Sequence, residues 1–181
     1  FGRKSKPSSH WLYTCYGAKT TKWQDDEMIV ELRSTGCQTV FPPSIHPSGE
    51  EITWHYPITE GEPATVSKDD LERACARLAS AVILAKHWPS QGTRQETALA
   101  LAGGLIRLGW AEEEAEKFIE AVTVGAQDEE SRDRIKTVIY TARKKTPTTG
   151  WKRLSELIGE EVVNKVLQWL GERDEKQKKP S

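Results

Sequence analysis

Val30-Glu31-Leu32-Arg33-Ser34-Thr35-Gly36-Cys37-Gln38-Thr39-Val40-Phe41-Pro42-Pro43-Ser44-Ile45-His46 gathers an acid, a turn and a Pro-Pro-Ser corner in one short span. Ile29, Glu31 and Arg33 alternate with Val30 and Leu32, the period of two of a half-buried strand, so the carboxylate and the guanidinium share one face. Ser34-Thr35-Gly36 reads as a tight turn. A returning strand over Gln38 to Phe41 is predicted to pair with the first until Pro42-Pro43 removes two backbone donors. Glu31 then lies near a sheet rim, and Ser44 and His46 occupy the loop that leaves it.

Working outward, Gly2 to Ser9 is Gly, Ser, Pro and basic residues, a composition suited to a loop that faces phosphate. His10-Trp11-Leu12-Tyr13-Thr14-Cys15-Tyr16 predicts an aromatic strand, and Glu51 to Tyr56 another after the Pro47-Ser48-Gly49 turn. Residues 1–58 are therefore β-rich, and 59–66 read as a linker. From Ser67 the apolar period changes from two to 3.6. Ser67 with Asp70 and Thr93 with Glu96 resemble capping boxes. The stripes they open run through Leu71, Ala74, Cys75, Leu78, Val82 and Ala85, and through Ala98, Leu101, Ala102, Leu105 and Leu108. A third helix begins at Glu112-Glu113-Glu114, with Ala115, Phe118, Ile119 and Val122 inward. A fourth is capped by Asp128 and ends in Arg143-Lys144-Lys145. A fifth spans Trp151 to Ile158, and a sixth carries Val162, Val163, Val166, Leu167 and Leu170. Residues 67–171 predict an all-α bundle and 172–181 a disordered tail. The fold class is α+β, a β-rich segment followed by a helical bundle.

The 181 residues are 36% hydrophobic and 29% charged, ordinary for a soluble protein, with a net charge of −1. That balance hides an asymmetry: Arg3, Lys4, Lys6, Lys19 and Lys22 all precede the first acid, Asp25, so an anionic partner meets this end first. Cys15, Cys37 and Cys75 have neither the pairing nor the spacing of a disulfide framework or a zinc site, and read as reduced, mostly buried thiols of a cytoplasmic protein. No apolar run is long enough to span a bilayer, so no membrane partner is expected. The chain opens on Phe1 inside a strand-and-turn pattern and reads as a fragment. A nucleophilic triad, a Walker loop and a dinucleotide-binding turn all lack their parts.

His10 and Glu31 are the first candidates for chemistry. On neighbouring strands they converge beside the basic loop, an arrangement suited to a triphosphate and one divalent cation. They also fit an ordinary strand start and a solvated edge charge. Ser8, Ser9, Arg3, Lys4 and Lys6 suit phosphate oxygens, or a frayed terminus. Trp11 and Trp54 read as core before base-stacking platforms. Trp88, Arg94, Arg132, Arg134 and Arg143 fit a nucleic-acid backbone or a salt-bridged surface.

Gly2 to Tyr13 and Val30 to His46 together resemble the second half of the bifunctional primase-polymerase (prim-pol) domain of the archaeo-eukaryotic primase superfamily. The resemblance implies an RRM-like catalytic core. Its second motif, a Ser and a His one residue apart, falls on Ser8 and His10, implied to bind the phosphates of an incoming NTP or dNTP. Its third, an acid before a Gly turn and a Pro-Pro-Ser, falls on Glu31, implied to ligate catalytic Mg²⁺ or Mn²⁺. Arg3, Lys4, Lys6 and Arg33 would offset the triphosphate charge.

The bundle, from Trp88-Pro89 through Leu101-Ala102-Gly103-Gly104-Leu105 and Gly109-Trp110 to Trp169-Leu170-Gly171, resembles the helical domain that follows prim-pol domains in replication proteins of plasmids, phages and integrated elements. A helicase often follows there. The expected parent is a DNA primase and polymerase acting on a DNA template, and a non-catalytic nucleic-acid-binding or helicase-coupling module is the alternative. The family's first motif, two acids one residue apart on an earlier strand, has no counterpart. Asp25 and Asp26 follow the second motif, and as adjacent strand residues they face opposite ways. This chain alone is therefore expected to lack a complete metal site.

Overall fold

Short strands come first and helices second, as the change of apolar period predicts. The computed structural model describes residues 1–55, 62–130, 135, 140 and 150–171. Among the described residues the strands are β1 (Gly2–Arg3), β2 (Thr21–Gln24), β3 (Met28–Leu32) and β4 (Ile52–Thr53), and the helices are α1 (Lys68–Lys86), α2 (Arg94–Arg107), α3 (Glu112–Gly125), α4 (Trp151–Ile158) and α5 (Glu160–Trp169). The architecture is α+β, with two small two-stranded sheets, β1 with β4 and β2 with β3. Two compact units result: Phe1–Lys22 with Glu31–Arg73, and Trp23–Val30 with Ala74–Ser181.

In the first unit β1 and β4 pair antiparallel, Gly2 opposite Thr53 and Arg3 opposite Ile52. Residues 1–10 fold back on themselves: Arg3 and Lys6 exchange backbone bonds of 3.2 and 2.9 Å, and the His10 N–H donates to the Phe1 carbonyl at 3.0 Å. Gly2 is required here, because a Cβ would overlap the carbonyl oxygens of Lys6 and Pro7. Phe1, Phe41 and Trp54 form an aromatic cluster with centroids 4.9 to 6.2 Å apart. The Ser34 turn forms as expected, with Cys37 N–H bonded to the Ser34 carbonyl at 3.2 Å. The Pro42-Pro43 bond is cis.

Several expectations fail, each for a local reason. Gln38 to Phe41 is not a strand; β3 pairs with β2 instead, across a turn closed by the Asp25 N–H on the Glu27 carbonyl. Arg33 occupies the Gln38 carbonyl, so that backbone is bonded to a side chain. His10 to Tyr16 is not a strand either, since Thr14 alone bridges, to Thr65 in parallel. Trp11 is exposed rather than core. Cys37 is exposed, and Cys15 and Cys75 are half-buried.

The second unit has its core among the helices: Ile83 and Leu84 of α1, Leu101 and Leu105 of α2, Ile119 and Val122 of α3, Leu154 of α4, and Val163 and Val166 of α5. Each such side chain contributes about 1.5–3 kcal/mol on burial. The inward face of α1 is not the one predicted. Ala76, Ala79, Ser80 and Ile83 are buried, whereas Leu78 is 56% and Val82 42% exposed. Two apolar stripes run along this helix, and the one that carries Ala81, Ile83 and Leu84 joins the core.

The Ser67 cap forms, with Asp70 N–H on Ser67 Oγ at 3.1 Å and the hydroxyl donating to Asp70 at 2.7 Å. The Thr93 box does not: Thr93 makes no side-chain cap, and Glu96 instead pairs with Arg153 at 2.8 Å. At the β2–β3 tip, Asp25 is bonded to Lys165 and lies 3.4 Å from Lys86, so this acid is committed within the second unit. Of the predicted fourth helix, Ile135 is buried, and Arg132, Arg134 and Arg143 to Lys145 lie outside the described residues, as do 59–61 of the linker and the 172–181 tail.

Candidate nucleotide site

Glu31 sits in β3 with its carboxylate against two cations: Arg33 Nε donates to Oε2 at 2.8 Å, and Lys22 Nζ lies 3.7 Å from Oε1. The Arg33 hydrogen bond is the main cause holding the Glu31 carboxyl below the usual range, ahead of an opposing desolvation and the added charge of Lys22. Arg33 also donates to the Gln38 carbonyl at 2.9 Å, which fixes its plane.

His10 stacks on Phe1, centroids 4.7 Å apart and planes 10° from parallel. Its Nδ1 lies 3.0 Å from Ser9 Oγ. Desolvation pushes the imidazole pKa down, and the amino terminus, Arg33 and Arg3 push it the same way. His10 is thus a neutral ring in a field of cations, and Arg33 acts on both it and Glu31. The basic loop is less uniform than its composition. Arg3 is committed to Glu50 at 3.1 Å, and its Nη1 lies 2.6 Å from His46 Nε2. Lys4, Lys6 and Ser8 are exposed, and among the described residues neither lysine forms an ion pair.

Glu50 escaped the sequence reading. It accepts from Ser5 N–H at 2.9 Å, Ser5 Oγ at 2.8 Å and Ser48 Oγ at 3.0 Å, and these bonds, Ser5 foremost, hold its carboxyl below the usual range. It locks the basic loop to the 46–50 turn. The available signal was an acid directly after Pro-Ser-Gly, where turn hydroxyls and an N–H converge. Ser44 and His46 serve that turn: the Ser44 carbonyl accepts from Ile52, and Ser48 N–H donates to His46 Nδ1 at 3.1 Å.

This arrangement suits an anion. The first unit carries a fixed guanidinium, two exposed ammonium groups with no ion pair among the described residues, and an imidazole held neutral. It does not suit a divalent cation equally, since both Glu31 oxygens already face cations. Among the described residues no three His, Cys, Asp or Glu side chains are grouped to hold a metal. No described helix is long and apolar enough to cross a membrane. No protein-family model, curated protein or solved structure matches the chain.

Proposed function

We propose that the chain is the carboxy-terminal part of a prim-pol catalytic domain with its helical partner domain, from a cytoplasmic replication primase-polymerase, and that its first unit grips the triphosphate of an incoming NTP or dNTP. The observation that carries this is the position of Arg33, its Nε 2.8 Å from Glu31 and its plane fixed by the Gln38 carbonyl, in the same unit as His10. A triphosphate would draw Arg33 into a bidentate contact, raise the His10 pKa until the ring donates to a phosphate oxygen, and take charge from Lys4 and Lys6. Ser8 is exposed and available as a further donor. Template-directed nucleotidyl transfer would belong to the intact parent with Mg²⁺ or Mn²⁺, and no chemical step is assigned to the residues of this chain.

The reading is tested by ATP binding to this chain. Loss of one charged hydrogen bond is worth about 1.5–3 kcal/mol, so His10→Ala and Arg33→Met each weaken binding about tenfold or more. Unchanged affinity in both removes the assignment. In the full replication protein, Glu31→Ala and His10→Ala each abolish primer synthesis without lowering the melting temperature. The pairing of both Glu31 oxygens with cations favours one second reading, a non-catalytic nucleic-acid or helicase-coupling module. Primer synthesis retained in both variants would select it.

A further inference from the structure

Three aromatic side chains stand out of the first unit within six residues: Trp11 is 69%, Tyr13 43% and Tyr16 84% exposed. Among the described residues none of the three rings stacks on another ring or forms a hydrogen bond. Exposed rings are usually scattered; a run of them is an interaction surface. The backbone beneath is tied down on either side of each ring. His10 N–H bonds to Phe1, Thr14 is bonded both ways to Ala64 and Val66 at 3.0 Å, the Ala18 carbonyl accepts from Ser34 Oγ at 2.8 Å, and Thr20 Oγ1 accepts from Ser34 N–H at 3.1 Å. The backbone on either side of the rings at 11, 13 and 16 is therefore pinned at 10, 14 and 18, so little backbone ordering remains to be done on binding.

The charge around this segment identifies the occupant. Residues 1–24 contain five Lys and Arg and no acid. Lys4, Lys6 and Lys19 form no ion pair among the described residues. An apolar helix would need one continuous groove, whereas exposed rings at 11 and 13 and at the 16–17 turn offer separate π-faces to successive flat groups. Aromatic faces interleaved with unpaired lysines match a polymer that alternates planar rings with negative charge. We infer that Trp11, Tyr13 and Tyr16, with Lys19, form a stacking platform for single-stranded nucleic acid. The platform deepens the proposed function by placing the template strand, yet its binding does not depend on the triphosphate site.

The test is fluorescence anisotropy of labelled (dT)20 with the full chain. Alanine replacement of a stacking ring typically loses a factor of five to about a hundred, so Trp11→Ala and Tyr16→Ala each weaken binding about tenfold, while Trp11→Phe and Tyr16→Phe retain it. Lys19→Ala lowers the dependence of log K on log salt by about 0.7. A 20-base-pair duplex competes poorly, because its bases are already stacked. His10→Ala separates the two readings: it weakens ATP binding and leaves (dT)20 binding unchanged. Absence of (dT)20 binding, alanine variants that bind like the parent, or a concentration-dependent dimer lost in Trp11→Ala with no change in oligonucleotide affinity would each overturn the platform. None of those results alters the ATP measurement, which alone judges the triphosphate site.

Discussion

Gly104 lies in the middle of α2, where glycine is about 0.8–1.0 kcal/mol worse than alanine, so propensity alone expects Gly104→Ala to stabilise the helix. The structure predicts the reverse. A Cβ at Gly104 would lie 2.8 Å from Cε2 and 3.0 Å from Cδ2 of Trp151, the first residue of α4. An indole cannot yield like the end of a flexible chain, and its retreat is restricted because the guanidinium of Arg107 fills the Cβ position of Gly150 beside it. Overpacking of this kind costs about 1–3 kcal/mol. Trp151 Nε1 is buried without an acceptor among the described residues, so an indole displaced toward water would recover part of that penalty. Subtracting the propensity gain leaves a net destabilisation of about 0–2 kcal/mol. For a chain of this size each kcal/mol shifts the melting temperature by about 2–4 °C. A sharper readout is the change of sign. In a Trp151→Ala background the obstruction is gone, and Gly104→Ala gains its full propensity of about 1 kcal/mol. Thermal unfolding followed by helical circular dichroism, on the four proteins of this double-mutant cycle, measures both steps. Equal stabilisation by Gly104→Ala in both backgrounds would refute the packing of Trp151 against α2.

On α1, Ile83→Ala costs about 2–5 kcal/mol and Leu78→Ala less than about 0.5, because Ile83 is buried and Leu78 exposed; urea unfolding of the two variants checks the observed face against the sequence stripe. His10 has a pKa lowered from 6.5, so without nucleotide its contribution to stability is fully present above the unfolded-state value and is lost as pH falls through the folded one. ATP binding reverses the preference, takes up a proton and tightens as pH falls toward 6; calorimetry in two buffers of different ionisation heat detects that proton, which is absent in His10→Asn. Glu31 competes with phosphate for Arg33, so Glu31→Gln tightens metal-free ATP binding by up to about fivefold, the worth of an exposed ion pair, and weaker binding in chelator would refute the competition.

The helices were legible because their cores repeat every three to four residues and strong local signals mark their ends: Gly159, with φ of +101°, separates α4 from α5 where the sequence places a break. The face of α1 was not, because Leu78 and Val82 make as good a stripe as Ala79 and Ile83 when only hydrophobicity is read. What decides between them is which stripe the rest of the core covers, a property of the folded unit and not of the helix alone. Strand pairing was misread for a related reason. Met28 to Leu32 is a strand as its alternation predicts, but alternation does not name the partner, and the tight Asp25–Glu27 turn selects Thr21–Gln24 ahead of Gln38–Phe41. Of the candidate site, Glu31, Arg33 and His10 were each visible as chemistry-bearing residues. The commitment of Arg3 to Glu50 was hidden, since it joins positions 47 residues apart.

That commitment changes how the basic loop can meet an anion. A flexible Gly-rich loop binds phosphate chiefly through backbone N–H groups turned inward together. Here the Arg3 and Lys6 amides are already bonded to one another's carbonyls, the Ser5 amide is held by Glu50, and Gly2 is packed with no room for a side chain. The loop therefore cannot act as an amide nest without breaking its own closure. Its anion-binding capacity resides in side chains, Lys4 and Lys6 as mobile point charges, while its fixed backbone serves to carry His10 against Phe1. Precision in the site then belongs to Arg33, whose plane is set by Glu31 and the Gln38 carbonyl, and the lysines supply attraction without geometry.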